Sequence, residues 1–214
     1  MNVVIFSIFF FLSCKAVAPT GSGLLASGKG ASIDSLKEET VRAIKSACND
    51  PKGAKDVNLT KEECYLVMAG STVRESSWKV KKSCEAWGNY SDPCCGLTQS
   101  RRGDAKAVGL SCNPHDKDKE GYKCNVLTGL RNLRCKADGG KTCDKKKKGR
   151  SLKAGIYKHL GGNFSNRSSY IRDMKDVYNR KDIRKKFGIK NESKLRKWDK
   201  ILEEQLLLSK ISNL

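Results

Sequence analysis

Ten cysteines stand in this chain of 214 residues, and nine of them fall between Cys48 and Cys143. Free thiols are not normally accumulated in a reducing cytosol, so such a density points to disulfides in an oxidising compartment. The stapled body therefore lies between these positions. Nine is odd, and four bridges with one leftover thiol is the simplest count; the pairing cannot be read from chain order. Cys94 and Cys95 are adjacent and cannot readily bridge to each other, so each is expected to tie its loop to a different partner. Zinc is the alternative use of cysteine, but no C-x-x-C pair exists and only His115 lies in that region.

The N-terminus agrees with export. Val3 to Leu12 is an almost unbroken apolar run. It is too short to span a bilayer and fits the apolar core of a signal peptide. Ala16-Val17-Ala18 supplies an A-x-A cleavage site, followed unfavourably by Pro19. Phe11-Leu12-Ser13-Cys14 loosely matches a lipoprotein box with Cys14 as the acylated residue. We take simple secretion as the first reading. The resulting division is a signal peptide over 1–18, a flexible Gly/Ser/Ala-rich linker over 19–33, a folded domain over 34–180 and a basic amphipathic helix over 181–214. The localisation is secreted or periplasmic, with anchoring through Cys14 as the variant.

Helical signals dominate the domain. Ser35 to Glu38 and Thr60 to Glu63 both have capping-box spacing. The first opens a helix through Val41 and Ile44, broken at Asn49-Asp50-Pro51. The second opens a helix with Cys64, Val67, Met68 and Ser71 on one face, ending near Glu75-Ser76-Ser77. Residues 79–123 read as loop. Asn125 to Leu133 reads as a short helix, and Ile156 to Leu160 and Tyr170 to Tyr178 as two more. In the tail, Leu195, Trp198, Ile201, Leu202, Gln205 and Leu208 recur at three and four residues among lysines and arginines. Docking on the domain is the first expectation for this face, and lying on an anionic surface is the alternative.

Four short segments then occur in order: Glu75-Ser76-Ser77, Gly96-Leu97-Thr98-Gln99, Asn125-Val-Leu-Thr-Gly129-Leu-Arg-Asn-Leu133 and Tyr178-Asn179. Their order and spacing resemble the soluble lytic transglycosylase and goose-type lysozyme superfamily over roughly residues 60–179. The resemblance implies a mainly α, lysozyme-like (α+β) domain with disulfide-stapled loops. It implies an enzyme, a glycosidase cleaving the β-1,4 bond between N-acetylmuramic acid and N-acetylglucosamine in peptidoglycan. Glu75 takes the role of general acid. Such cleavage near neutral pH calls for a carboxyl kept protonated by apolar surroundings, which Met68, Val73 and Trp78 are placed in sequence to supply. Ser76, Gly96, Leu97, Thr98 and Gln99 become substrate-binding, with Thr98 where the family usually has Met. Gly129 allows close helix packing and Asn125 caps a helix. Tyr178 orients the acid, with Tyr170 as its rival because Arg180 breaks the usual pattern after Asn179.

A second carboxylate decides the mechanism. Hydrolysis requires one, whereas a lytic transglycosylase uses the substrate's own hydroxyl and leaves an anhydro sugar. Glu85, Asp92 and Asp104 lie in the relevant stretch, and Asp92 is the first choice. Trp87 and Trp78 are candidate walls for sugar stacking, with core burial the competing role for Trp78. His115 and His159 read as surface residues. No metal or organic cofactor is implied.

Lys and Arg number 43 against 23 Asp and Glu, a formal charge of +20, and the mean hydropathy is −0.57. This excludes a polytopic membrane protein. A field of that sign concentrates a protein on polyanions. The expected partners are peptidoglycan strands and anionic envelope polymers or a membrane surface rather than nucleic acid, and the expected state is a monomer. The rival from another class is a non-enzymatic cationic envelope-binding protein on the same scaffold.

Overall fold

The computed structural model describes residues 32–80, 84, 91–137 and 164–203. The leader, nearly all of the linker, Glu85, Trp87, His159, the helix expected at 156–160, and Gln205 and Leu208 lie outside them.

Seven α-helices and three short 3-10 turns are formed among the described residues. The helices are α1 (Glu38–Asn49), α2 (Lys61–Ser76), α3 (Arg102–Ala107), α4 (Lys119–Ala137), α5 (Phe164–Asn179), α6 (Lys181–Lys186) and α7 (Trp198–Glu203). The turns are Ile33–Ser35, Ala54–Val57 and Glu192–Lys194. The protein is thus mainly helical. Of the α+β expectation, the described residues retain only an isolated antiparallel bridge between Cys95 and Ser100.

Helix α2 is the centre. Its capping box forms in full: the Glu63 amide donates to Thr60 Oγ1 at 3.1 Å, and the Thr60 amide donates to Glu63 Oε2 at 2.9 Å. Almost every residue from Glu63 to Ser76 is buried. A helix apolar or buried all round must be covered on several sides. Helix α5 packs most extensively on α2, and α1 lies against both α2 and α4. Gly70 makes the α2–α5 approach possible, since a Cβ there would stand 2.8 Å from Met174 Cα.

The other expected capping box does not form. Ser32 caps the first 3-10 turn and Ser35 Oγ donates back to the Ser32 carbonyl at 2.6 Å, so α1 starts at Glu38 behind Lys37 without a side-chain cap. Helix α3 arises inside the stretch read as loop, and α4 extends well beyond Asn125 to Leu133 in both directions.

The disulfides Cys48–Cys64, Cys84–Cys95 and Cys112–Cys124 staple α1 to α2, the loop before Gly96 to Cys84, and the start of α4 to its preceding segment. Cys94 and Cys135 are also disulfide-bonded. The adjacent pair therefore does serve two partners, no described cysteine is free, and zinc has no thiolates here to bind.

The tail is not one helix. Gly188, at φ +69°, turns the chain between α6 and the last 3-10 turn. The apolar positions expected on one face are spent on the core: Trp198, Ile201 and Leu202 are buried and Leu195 is half-buried. Trp198 packs on Tyr178 with ring centroids 5.3 Å apart, and Phe187 stacks on Tyr65 of α2 at 5.7 Å. The described tail is docked, which removes this face from the membrane-surface alternative. Its lock is Glu63, which is fully buried and accepts from Arg196 through the backbone amide (3.0 Å), Nε (2.8 Å) and Nη2 (2.8 Å). Burial alone would raise the Glu63 pKa, but these bonds and the Thr60 amide hold it below the usual carboxylate value. Among the described residues no helix is long and apolar enough to cross a membrane.

Candidate functional site

Glu75 sits in the last turn of α2 and is 5% exposed. Helix α2 ends just after it by an abrupt device. Ser77 and Trp78 both adopt left-handed backbone, at φ +51° and +63°. For a residue as bulky as Trp this conformation costs on the order of 1–2 kcal/mol. It is held by anchors on both sides of the ring and chain. Trp78 Nε1 donates to the Ala69 carbonyl at 2.8 Å, and the Trp78 carbonyl accepts from Thr40 Oγ1 at 2.7 Å. Trp78 is thus core, 1% exposed, and Met68 and Val73 of α2 are buried as well.

The tyrosine that reaches Glu75 is Tyr170. Its hydroxyl donates to Glu75 Oε1 at 3.1 Å and lies 2.8 Å from Ser71 Oγ. Tyr170 has no solvent exposure. Burial first, and the neighbouring Glu75 carboxylate second, push its phenol well above the usual value, so it stays a donor. Tyr178, expected in this role, is two turns further along α5 and turned away: its hydroxyl donates to the Arg196 carbonyl at 3.0 Å. It serves the tail, not the acid. Next to Tyr170, Arg74 of α2 pairs with the buried Asp173 of α5 at 2.8 Å. Burial raises the Asp173 pKa against the pull of Arg74. The contacts Glu75–Tyr170, Arg74–Asp173 and Gly70–Met174 climb α5 as they descend α2, so the two helices cross antiparallel.

The Gly96-Leu97-Thr98-Gln99 segment is a tight turn clamped onto α4. Gly96 takes φ +74°, and a Cβ there would meet Asn125 Nδ2 at 2.7 Å. Asn125 is not a helix cap but the clamp itself. Its Oδ1 accepts from the Thr98 amide at 2.8 Å, and its Nδ2 donates to the carbonyls of Cys95 (2.8 Å) and Pro114 (3.1 Å). Thr98 Oγ1 donates to the Asn125 carbonyl at 2.7 Å. Gly129 lets Thr98 press onto the helix, since a Cβ would stand 2.6 Å from Thr98 Cβ. Gln99 has left-handed backbone at φ +48°, and its Nε2 donates to the Gly96 carbonyl at 2.8 Å. That bond fixes the amide, leaving Gln99 Oε1 as a buried acceptor without a partner. A buried orphan acceptor calls for a donor from outside.

The remaining expected residues have other work. Ser76 Oγ donates to the Thr72 carbonyl of its own helix at 2.8 Å. Asp92 accepts the amides of Arg102 (3.0 Å) and Gly103 (2.8 Å), one on each oxygen, and so starts α3. Asp104 accepts the Arg101 amide at 3.0 Å. Leu97 is buried in the same hydrophobic core as Val73, Trp78 and Tyr170. His115 is half-buried rather than superficial, with Nε2 2.9 Å from the Ser100 carbonyl. A separate pocket of about 220 Å³ lies between α1 and α4, but its charged walls are already paired: Lys123 bridges Asp50 and Glu120, and Lys52 donates to the Gly109 carbonyl. Among the described residues no group of His, Cys, Asp and Glu is placed to hold a metal ion.

Sequence reasoning missed Ser71 as a polar partner and read Asn125 too locally. The Ser71–Glu75 spacing of four residues put both on one side of α2, and that was the available signal. No protein family, curated protein or solved structure matches this chain.

Proposed function

We propose that this chain is an exported glycosidase that cleaves the β-1,4 bond between N-acetylmuramic acid and N-acetylglucosamine in peptidoglycan. The observation that carries the reading is the buried Glu75 carboxyl, held by the Tyr170 phenol in the last turn of α2. Glu75 gives its proton to the glycosidic oxygen as the bond from that oxygen to the anomeric carbon breaks. The anomeric carbon is then captured by water, as in a lysozyme, or by the substrate's own hydroxyl, as in a lytic transglycosylase.

Geometry favours the second route: Asp92 and Asp104, two of the three carboxylates considered for activating water, already accept backbone amides at the start of α3, and Glu85 lies outside the described residues. Gln99 presents an orphan acceptor suited to a hydroxyl or acetamido N–H of a sugar. The disulfides fit an oxidising, extracellular compartment.

The test is mass spectrometry of soluble fragments from purified peptidoglycan, with Glu75→Gln alongside. The variant should lose about 10²–10⁴-fold in rate. Anhydro-muramic ends identify the transglycosylase, and reducing muramic ends the hydrolase. No fragments from acetylated or deacetylated wall refutes the glycosidase and leaves the cationic binder.

A further inference from the structure

Buried hydroxyls on the helices of this protein mostly turn back on their own backbone. Thr72 Oγ1 donates to the Met68 carbonyl (2.8 Å), Ser76 Oγ to the Thr72 carbonyl (2.8 Å) and Thr128 Oγ1 to the Cys124 carbonyl (2.7 Å). Each spans four residues, the usual resting place of a helical hydroxyl. Ser71 stands among them on α2, is 4% exposed, and does otherwise: its hydroxyl reaches across to the Tyr170 hydroxyl of α5 at 2.8 Å.

We infer that Ser71 is a positioning residue whose hydroxyl donates to Tyr170 Oη and thereby commits the single phenolic proton of Tyr170 to Glu75. The inference rests on the glycosidase reading for its consequence in turnover. The direction follows from proton count. A phenol has one proton, and here it lies toward Glu75 Oε1. With the Tyr170 proton on Glu75 Oε1, the Ser71–Tyr170 bond closes only if Ser71 donates. No exposed surface remains on Tyr170 for water to compete.

Such a chain acts selectively in the reaction. As Glu75 passes its proton to the leaving oxygen, negative charge grows on its carboxylate. A hydrogen bond to a charged acceptor is stronger than one to a neutral acceptor, so the Tyr170 bond tightens toward the transition state. A donor behind the phenol polarises its O–H and strengthens that response. The Arg74–Asp173 pair and the close Gly70–Met174 approach keep α5 in register, so that Tyr170 meets both partners.

The experiment uses the full-length protein labelled with ¹³Cζ-tyrosine, with the Tyr170 signal among six tyrosines assigned by Tyr170→Phe. Ser71→Ala is expected to move the Tyr170 signal, and Glu75→Gln to move the same signal. On purified peptidoglycan, Ser71→Ala should lower kcat about fivefold, the worth of one ordinary hydrogen bond, with KM within about twofold. A folded Ser71→Ala protein whose Tyr170 signal stays at the wild-type position overturns the inference. Should the alanine variant not fold, Ser71→Cys, a weaker donor of similar size, gives the same two readouts. A wild-type protein that releases no fragments refutes the glycosidase reading instead, while the carbon signal still decides whether Ser71 and Glu75 both bond the Tyr170 hydroxyl.

Discussion

Replacing Asn125 by alanine removes the clamp that fixes the Gly96–Gln99 turn, and its cost can be worked bond by bond. The Asn125 side chain is 1% exposed and makes three bonds to backbone groups: one to the Thr98 amide, one to the Cys95 carbonyl and one to the Pro114 carbonyl. Truncation leaves one donor and two acceptors in the core with nothing to replace them. An unsatisfied buried group costs about 1–3 kcal/mol, less for a carbonyl that keeps another partner. The Cys95 carbonyl keeps its bridge to the Ser100 amide at 3.0 Å, so it counts at the low end. The sum is about 4 kcal/mol. With a urea m-value of about 2 kcal/mol/M, the unfolding midpoint should fall by about 2 M at unchanged m. Equilibrium urea unfolding with disulfides intact measures this directly. Asn125→Asp separates hydrogen bonding from packing, because it keeps the shape and the acceptor for Thr98 but sets an oxygen against two carbonyls. It should be at least as damaging as alanine at neutral pH. A loss under about 1 kcal/mol for the alanine variant would refute the clamp, since it would mean that water or relaxation satisfies all three groups.

Further outcomes follow from the same geometry. Tyr170→Phe should cut lytic rate about tenfold or more, whereas Tyr178→Phe should leave it unchanged and cost about 1 kcal/mol in a thermal melt, because its hydroxyl holds only the Arg196 carbonyl. Glu63→Gln should cost about 3 kcal/mol at neutral pH by leaving Arg196 without its anion. Since the Glu63 pKa is held below its usual 4.5, that advantage is complete above pH 4.5 and lost as pH falls through the folded value. Melting curves of the wild type and Glu63→Gln should therefore converge in acid. Gly129→Ala places a methyl carbon 2.6 Å from Thr98 Cβ and should cost about 1–3 kcal/mol, read by urea unfolding.

What the sequence disclosed and what it withheld divide along locality. Helix α2 was legible because its capping box and its apolar positions all lie within one window. Helix α3 was not, because its first two free amides are satisfied by Asp92, ten residues upstream. The start of α4 was obscured because residues 79–123 read as loop; in the fold Gly121 lets the first turn of α4 lie close on the segment before it, since a Cβ there would fall 2.1 Å from the Asp116 carbonyl oxygen. The choice between Tyr170 and Tyr178 rested on a dipeptide pattern. Eight residues carry a side chain about 12 Å along a helix axis, so only one of the two can stand level with Glu75. That level is set by the seating of Gly70 against Met174, a contact no local pattern contains. The tail showed its apolar period correctly, but period does not say that Gly188 would fold one expected helix into separate pieces. The capping role given to Asn125 was sound for its residue type, yet its partners lie 11 to 30 residues away.

The lock between Glu63 and Arg196 also sets an order of events during synthesis. The two residues are 133 positions apart, and ribosomes add about 5–20 residues per second. Glu63 therefore emerges roughly 7–27 s before Arg196, the arginine that pairs with it. Until then, burying the start of α2 would strand a carboxylate in apolar surroundings, so that end of the helix must stay open to water. The nascent chain can form α1, α2 and their disulfide early, but closure of the core over the start of α2 waits on the much later segment that carries Arg196.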